Sequence, residues 1–95
     1  MANGPQALFT NTTGTSNIAT GVQSLYSNTI GTDNIASGYR SLFTNTSGPN
    51  NIAFGSQAMY SNTTGGNNIA NGYQSFYSNT TGSDNEHVCH LAEFN

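Results

Sequence analysis

A glycine recurs at every seventeenth position of this chain, and the residues around it repeat in the same register without an insertion or a deletion. The glycines that open the repeat are Gly4, Gly21, Gly38, Gly55 and Gly72. A repeat of this length is one supersecondary element that buries its apolar side only by stacking on its neighbours. The chain therefore predicts a stacked array, in which each of the 17 repeat positions, numbered from that glycine, recurs once per unit.

Several repeat positions keep their residue type throughout the array. Position 8 is always asparagine and position 9 is always threonine: Asn11, Asn28, Asn45, Asn62, Asn79 and Thr12, Thr29, Thr46, Thr63, Thr80. Position 14 is asparagine, followed in four units by Ile-Ala: Asn17, Asn34, Asn51, Asn68, Asn85, with Ile18, Ile35, Ile52, Ile69. Stacked units place like residues over like, so amides can pass hydrogen bonds between units and threonine methyl groups can pack together. We predict structural ladders at these positions.

The residue types predict strands and turns rather than helices. Two glycines per unit, many Asn, Thr and Ser, and no apolar spacing of three and four residues disfavour a helix. We expect two short strands per unit, one at runs such as Ser24–Ser27 and one at Ile-Ala, with Asn and Gly supplying positive φ at the turns. The predicted fold is an all-β, parallel β-solenoid or β-roll of about five coils, forming a rod roughly 24 Å long.

The period also sets the domain boundaries. Residues 1–3 read as the end of a partial repeat, residues 4–85 as the solenoid, and residues 86–95 as a C-terminal cap or tail, because the pattern stops after Asn85. The last ten residues contain both histidines and the single cysteine. Since His and Cys ligate zinc or iron, a metal site shared between chains through His87, Cys89 and His90 is a weak candidate beside the cap or tail.

Apolar residues at positions 5, 6, 15 and 16 are the expected core. Position 6 is always aromatic, namely Phe9, Tyr26, Phe43, Tyr60 and Tyr77. Burial of these side chains offsets less than the entropy of ordering the chain, so we predict a homo-oligomer, with the aromatic row as its candidate contact. The alternative is that the aromatic rings lie inside a monomeric coil.

The charge content excludes several functions. The chain has one basic side chain, Arg40, against four acidic ones and a net charge of -3, so it lacks the clustered Lys and Arg that nucleic acids require. No segment predicts a signal peptide or membrane insertion. No nucleophile and base, carboxylate pair or phosphate loop recurs, so we expect no enzyme activity and no cofactor.

The string Asn-Ile-Ala-x-Gly-x-x-Ser-Leu at residues 34–42 resembles the head repeats of YadA-type trimeric autotransporter adhesins. The longer unit, with Asn-Thr-Thr-Gly between copies, resembles arrays in bacteriophage tail fibres. The resemblance implies a left-handed parallel β-roll, a homotrimer, and an outer surface that meets a host or cell-surface ligand. It favours a structural or adhesive segment of an extracellular or virion surface fibre, a rigid spacer that binds multivalently.

Positions that vary between units are the candidate binding surface, since a structural row tolerates less change. Val22, Tyr39 and Tyr73 at position 2 and Phe54 at position 17 are its most apolar members.

Two alternative functions stay open. Thr/Ser-Asn-Thr at positions 7 to 9 gives a two-wide hydroxyl array, which resembles those of ice-binding solenoids, if the asparagine points inward. A self-stacking filament subunit is the other alternative.

Overall fold

The computed structural model describes residues 1–88, with side chains described as far as Asn85. Six strands follow one another along the chain: β1 (Ala2–Asn3), β2 (Ile18–Thr20), β3 (Ile35–Ser37), β4 (Ile52–Phe54), β5 (Ile69–Asn71) and β6 (Glu86–Val88). They form one parallel sheet in chain order, and these residues contain no helix. Equivalent residues pair directly, Ala19 with Ala36 and Ala36 with Ala53. The predicted all-β parallel solenoid is confirmed.

Each strand from β1 to β5 is followed directly by the position 1 glycine. Gly38 has φ +128°, and a Cβ there would lie 2.6 Å from the backbone carbon of Gly55 in the next coil. Only glycine combines this φ with so close a backbone approach. The glycine that opens each repeat therefore turns the chain out of the sheet.

The second strand predicted in each unit is wrong. The run Ser24–Ser27 forms turns, in which the N–H of Ser24 donates to the Gly21 carbonyl (3.3 Å) and that of Asn28 to the Leu25 carbonyl (3.2 Å). Leu25 has φ +51°, which a strand excludes. Nevertheless the N–H of Leu25 donates to the Ser41 carbonyl at 3.0 Å, so these turns are bonded from coil to coil.

Positive φ angles occur at four positions of every coil, and only some match the prediction. Position 13 follows it, with Asn50 at +57° and Asn67 at +59°. Positions 3 and 5 carry positive φ on glutamine, arginine and large apolar residues, which pay a steric cost there and persist because neighbouring coils fix the backbone. The position 11 glycines do not have the positive φ that the sequence predicted for them. Gly31 and Gly48 are required because a side chain would not fit: a Cβ on Gly31 would lie 2.8 Å from the Gly48 carbonyl oxygen.

The interior combines alanine at positions 4 and 16 with larger apolar side chains at position 5. The buried apolar residues are Ala7, Ala19, Leu25, Ala36, Leu42, Ala53, Ala58, Met59, Ala70 and Phe76. The expectation that isoleucine joins this core is wrong, because Ile18 and Ile69 are 40% and 39% exposed. Successive residues of a strand point to opposite sides, and the narrow interior takes the alanine. Isoleucine is left on the outer side of the sheet.

Candidate functional site: rows on the rod surface

Position 8 forms an internal row of asparagines, each joined to the one in the coil nearer the N-terminus. Asn28 Nδ2 donates to Asn11 Oδ1 at 2.9 Å, and the same bond links Asn45 to Asn28 and Asn62 to Asn45. Asn28, Asn45 and Asn62 are fully buried. Every buried side-chain nitrogen and oxygen of the described residues has a partner, so this row is a satisfied scaffold element.

Position 14 forms a second internal row of asparagines, whose side chains hydrogen-bond to backbone groups of the next coil. Asn34 Oδ1 accepts the N–H of Asn51 (2.9 Å), and Asn34 Nδ2 donates to the Gly48 carbonyl (2.8 Å). The Gly48 carbonyl also accepts from Asn45 Nδ2 at 3.1 Å. The two asparagine rows thus meet at the position 11 carbonyl, beside a glycine that leaves room for both.

Position 9 threonines lie on the outside and bond to the backbone. The Thr29 carbonyl accepts the N–H groups of Thr12, Thr13 and Gly14 at 3.0, 3.1 and 3.1 Å, and the Thr12 hydroxyl at 3.0 Å. The Thr46 carbonyl accepts the same four hydrogen bonds from residues 29–31 of the preceding coil. These four hydrogen bonds to one oxygen fix the spacing and the register of neighbouring coils.

Position 7 hydroxyls lie beside this row, and the threonines among them are bonded to the backbone in the same way. Thr10 and Thr44 donate to the carbonyls of Tyr26 and Tyr60 at 2.5 and 2.6 Å. With Asn28, Asn45 and Asn62 buried between them, positions 7 and 9 form the two-wide outer array considered in the sequence. The segment is a turn rather than a flat strand.

The aromatic residues of position 6 are stacked along the outside of the rod. Successive ring centroids lie 5.0–5.2 Å apart with interplanar angles of 1–20°. Phe9 at the N-terminal end is 58% exposed, and the other four rings are partly buried. The alternative that these rings fill the coil interior is therefore wrong. Their faces cover one another, so the row presents ring edges to its surroundings.

Strands β1 to β5 form an outer face without ionisable side chains, and Glu86 of β6 pairs with Ile69 at its C-terminal end. We call it the isoleucine face; it consists of Met1, Ile18, Ile35, Ile52 and Ile69 at position 15 and Asn3, Thr20, Ser37, Phe54 and Asn71 at position 17. Parallel pairing holds each isoleucine beside the next, Ile35 with Ile52 and Ile52 with Ile69. Phe54 is 43% exposed on the same face. Position 15 is therefore a continuous apolar row on the rod surface.

The variable position 2 also carries exposed apolar side chains. Val22, Tyr39 and Tyr73 are 39%, 43% and 47% exposed. They follow the isoleucine face across the position 1 glycine, so the structure brings the variable candidates onto neighbouring surfaces.

Position 3 forms a row of side-chain hydrogen bonds that sequence reasoning missed. Gln23 Nε2 donates to Gln6 Oε1, and Gln74 Nε2 donates to Gln57 Oε1, each at 2.7 Å. Arg40 interrupts the row: its Nε donates to Gln23 Oε1 at 2.7 Å. Its guanidinium carbon lies 5.1 Å from the ring centroids of both Tyr39 and Phe43. An arginine in a glutamine position was the available signal.

Only one of the three candidate metal ligands lies within the residues that the structure describes. His87 lies in β6, whereas Cys89 and His90 lie outside the described residues. Among residues 1–88 there is no cluster of three His, Cys, Asp or Glu side chains suited to a metal ion, and no pocket. The same residues contain no helix with the length and apolarity that crossing a membrane requires.

Comparisons with protein-family models, curated proteins and solved structures find no match to this chain. Its function must therefore be argued from the rows themselves.

Proposed function

We propose that this chain is a rigid segment of an extracellular or virion surface fibre, serving as a spacer and presenting repeated weak contacts to a cell-surface ligand. The observation that supports this most is the bonding of every coil to the next. Two buried asparagine rows and the four-donor threonine carbonyls recur from coil to coil in one register. Such a rod resists bending, and identical coils repeat each outer group at a fixed interval, which favours avidity over a single strong site.

The proposal includes a homotrimer, with the isoleucine face as the contact between copies. An exposed column of β-branched residues on a flat sheet is a template for association. No side chain of this face from β1 to β5 is ionisable, so identical copies do not repel one another over those strands; position 15 becomes acidic at Glu86 in β6. The aromatic row remains the other candidate contact.

Solution mass with matched variants tests the trimer. We expect the full chain to sediment at three times its 10.0 kDa mass. Ile35→Thr, on the isoleucine face, should shift the mass toward a monomer. Ile30→Thr is the control, because Ile30 is 56% exposed on another side of the coil and threonine is usual at its position. Tyr26→Ser examines the aromatic row. A monomer at micromolar concentration for the unmodified chain would refute the trimer.

Ice binding is kept as a second candidate, because burial of the position 8 asparagines supports the two-wide hydroxyl array. The outer positions include Ser27 and Ser61, which lack the methyl group of threonine. Thermal hysteresis and ice recrystallisation assays decide this point. Activity that Thr46→Lys abolishes would favour ice binding over the fibre function.

Filament formation by end-to-end stacking meets an obstacle in the register. In an unbroken stack, residues 1–3 of one copy take the place that Glu86–Val88 take in the preceding copy, because both segments fill positions 15 to 17. One of the two segments would have to leave the sheet. Electron microscopy of the pure chain tests this alternative, which requires long fibres.

A further inference from the structure

We propose that Arg40 and Gln57 form a binding site for a carboxylate, and that the carboxylate belongs to an acidic saccharide. The site is a break in the position 3 row, in which Gln23 and Gln74 donate their side-chain amides to Oε1 of Gln6 and Gln57 in the preceding coils. Arg40 has no side-chain oxygen that could accept a hydrogen bond from Gln57, the equivalent residue of the following coil. Donors therefore face the break from both sides.

Backbone bonds place Gln57 next to Arg40. The N–H of Gln57 donates to the Tyr39 carbonyl at 2.7 Å, in the same way that the N–H of Arg40 donates to the Val22 carbonyl at 2.9 Å. Gln57 Oε1 accepts from Gln74, whereas Gln57 Nε2 makes no hydrogen bond with any residue of the described chain. The amide hydrogens of Gln57 are thus available on the Arg40 side of the break.

The Arg40 guanidinium is held in place with its end free. Its Nε donates to Gln23, and the rings of Tyr39 and Phe43 flank it at 5.1 Å, a distance at which cation–π attraction operates. The two Nη groups make no hydrogen bond within residues 1–88. They are reachable by a ligand, since every buried side-chain nitrogen of this region has a partner. An end-on pair of N–H donors matches the two oxygens of a carboxylate.

Charge and shape narrow the ligand further. Arg40 is the only Lys or Arg of the chain, so it is the one side chain with a permanent positive charge that can attract an anion. The described residues contain no pocket, so the ligand must lie along the surface with only its carboxylate in the break. A uronic acid sugar fits, because its hydroxyl groups can bond to the neighbouring glutamines and stay hydrated elsewhere. The choice of a saccharide rests on the adhesive function proposed above; the carboxylate site rests on Arg40 and Gln57 alone.

Nuclear magnetic resonance of the full ¹⁵N-labelled chain tests the site directly. A single arginine gives a single Nε–Hε signal. Sodium glucuronate, added at constant ionic strength, should shift this signal with saturation at a Kd of about 1–10 mM. Glucose at the same concentrations is the neutral control and should leave it unmoved. Absence of a saturable shift with glucuronate would overturn the proposal.

Matched charge variants separate the site from general electrostatics. Gln57→Glu places a carboxylate of the chain itself in the break, so it should move the Arg40 signal without ligand and weaken glucuronate binding at least about tenfold. Gln6→Glu makes the same change two coils away from Arg40, keeps an acceptor for Gln23 Nε2, and should keep the Kd within about twofold. Equal weakening by both variants would contradict a local site.

A third variant guards against misfolding, and a second titrant tests the saccharide. Arg40→Gln restores the usual residue of position 3 and should keep the melting temperature while removing the glucuronate-induced shifts of the Tyr39 and Phe43 amides. Retained shifts would overturn the site.

Acetate should bind several-fold more weakly than glucuronate. Equal affinities would overturn the saccharide assignment, and with it this support for adhesion, independently of the carboxylate site.

Discussion

The side-chain amide of Asn45 donates to the Oδ1 of Asn28, one coil nearer the N-terminus, across 2.9 Å in a fully buried environment. Asn45 also donates to the Gly48 carbonyl and accepts from Asn62. One side chain thus links three coils.

Replacing Asn45 by alanine should be among the most damaging single changes to the rod. It removes these bonds and leaves the Asn62 amide with only the Gly65 carbonyl as acceptor, so we expect a loss of about 3 kcal/mol in the free energy of unfolding. Asn11→Ala is the control, since Asn11 has a neighbour on one side only and is partly buried; it should cost about 1 kcal/mol. Urea denaturation of both variants provides the comparison. Equal losses would mean that the row contributes no linkage between coils.

A methyl group at Gly48 should disrupt the junction of the two asparagine rows. The new Cβ would collide with the Gly65 carbonyl oxygen and lie 2.5 Å from Asn45 Oδ1. We expect Gly48→Ala to destabilise the chain by about 3 kcal/mol, although its φ is not the obstacle. The neighbouring Ser47→Ala makes no such contact and should stay within about 0.5 kcal/mol of the unmodified chain. Thermal melts followed by circular dichroism measure both, and a neutral Gly48→Ala would contradict the close approach.

Ser16→Asn should stabilise the rod. Ser16 has φ +60°, in the left-handed region that asparagine tolerates better, and Asn50 and Asn67 already occupy this position in other coils. A gain of roughly 0.5 kcal/mol is expected, measured as a higher melting temperature. Thr15→Asn is the control one residue away and should give no gain. A lower melting temperature for Ser16→Asn would argue against relief of strain.

Phe43→Ala should weaken the aromatic row at its middle. The Phe43 ring stacks on Tyr26 and on Tyr60 with 5.2 Å between centroids, and each such pair contributes about 0.5–1.5 kcal/mol beyond its burial. We expect a loss near 2 kcal/mol. Phe9→Ala removes one stacked neighbour from a more exposed ring and should cost about half as much. Denaturation curves distinguish this result from equal effects, which would indicate that stacking adds nothing.

The stacking of the coils could be predicted from the sequence because it follows from the repeat. Identical residues at a fixed interval, such as Asn28 and Asn45, require equivalent places in successive coils, and parallel pairing in register follows from that. The direction of side chains could not be read in the same way. Ile35 and Ala36 are both apolar, so their order does not reveal which one faces a narrow interior.

The strand count failed for a related reason. Leu25 and Tyr26 look like strand residues, and nothing in a leucine signals φ +51°. The tertiary structure overrides its local preference, as coil-to-coil bonding holds the turn. The break at Arg40 was within reach of the sequence, because arginine lacks the side-chain oxygen that a glutamine row needs. Recognising it required knowing that position 3 forms such a row.

The position 8 row has one further property, which is its polarity. All of its amide groups point the same way, so their dipoles add, and each bond polarises the next. At one end Asn11 Nδ2 has only the Gly14 carbonyl of its own coil to bond, and at the other end Asn79 Oδ1 accepts from no donor within the described residues. One end of the row therefore offers hydrogen and the other offers oxygen. A fibre that contains this segment has a chemical head and tail, and two such rods lying side by side are electrically distinguishable as parallel or antiparallel.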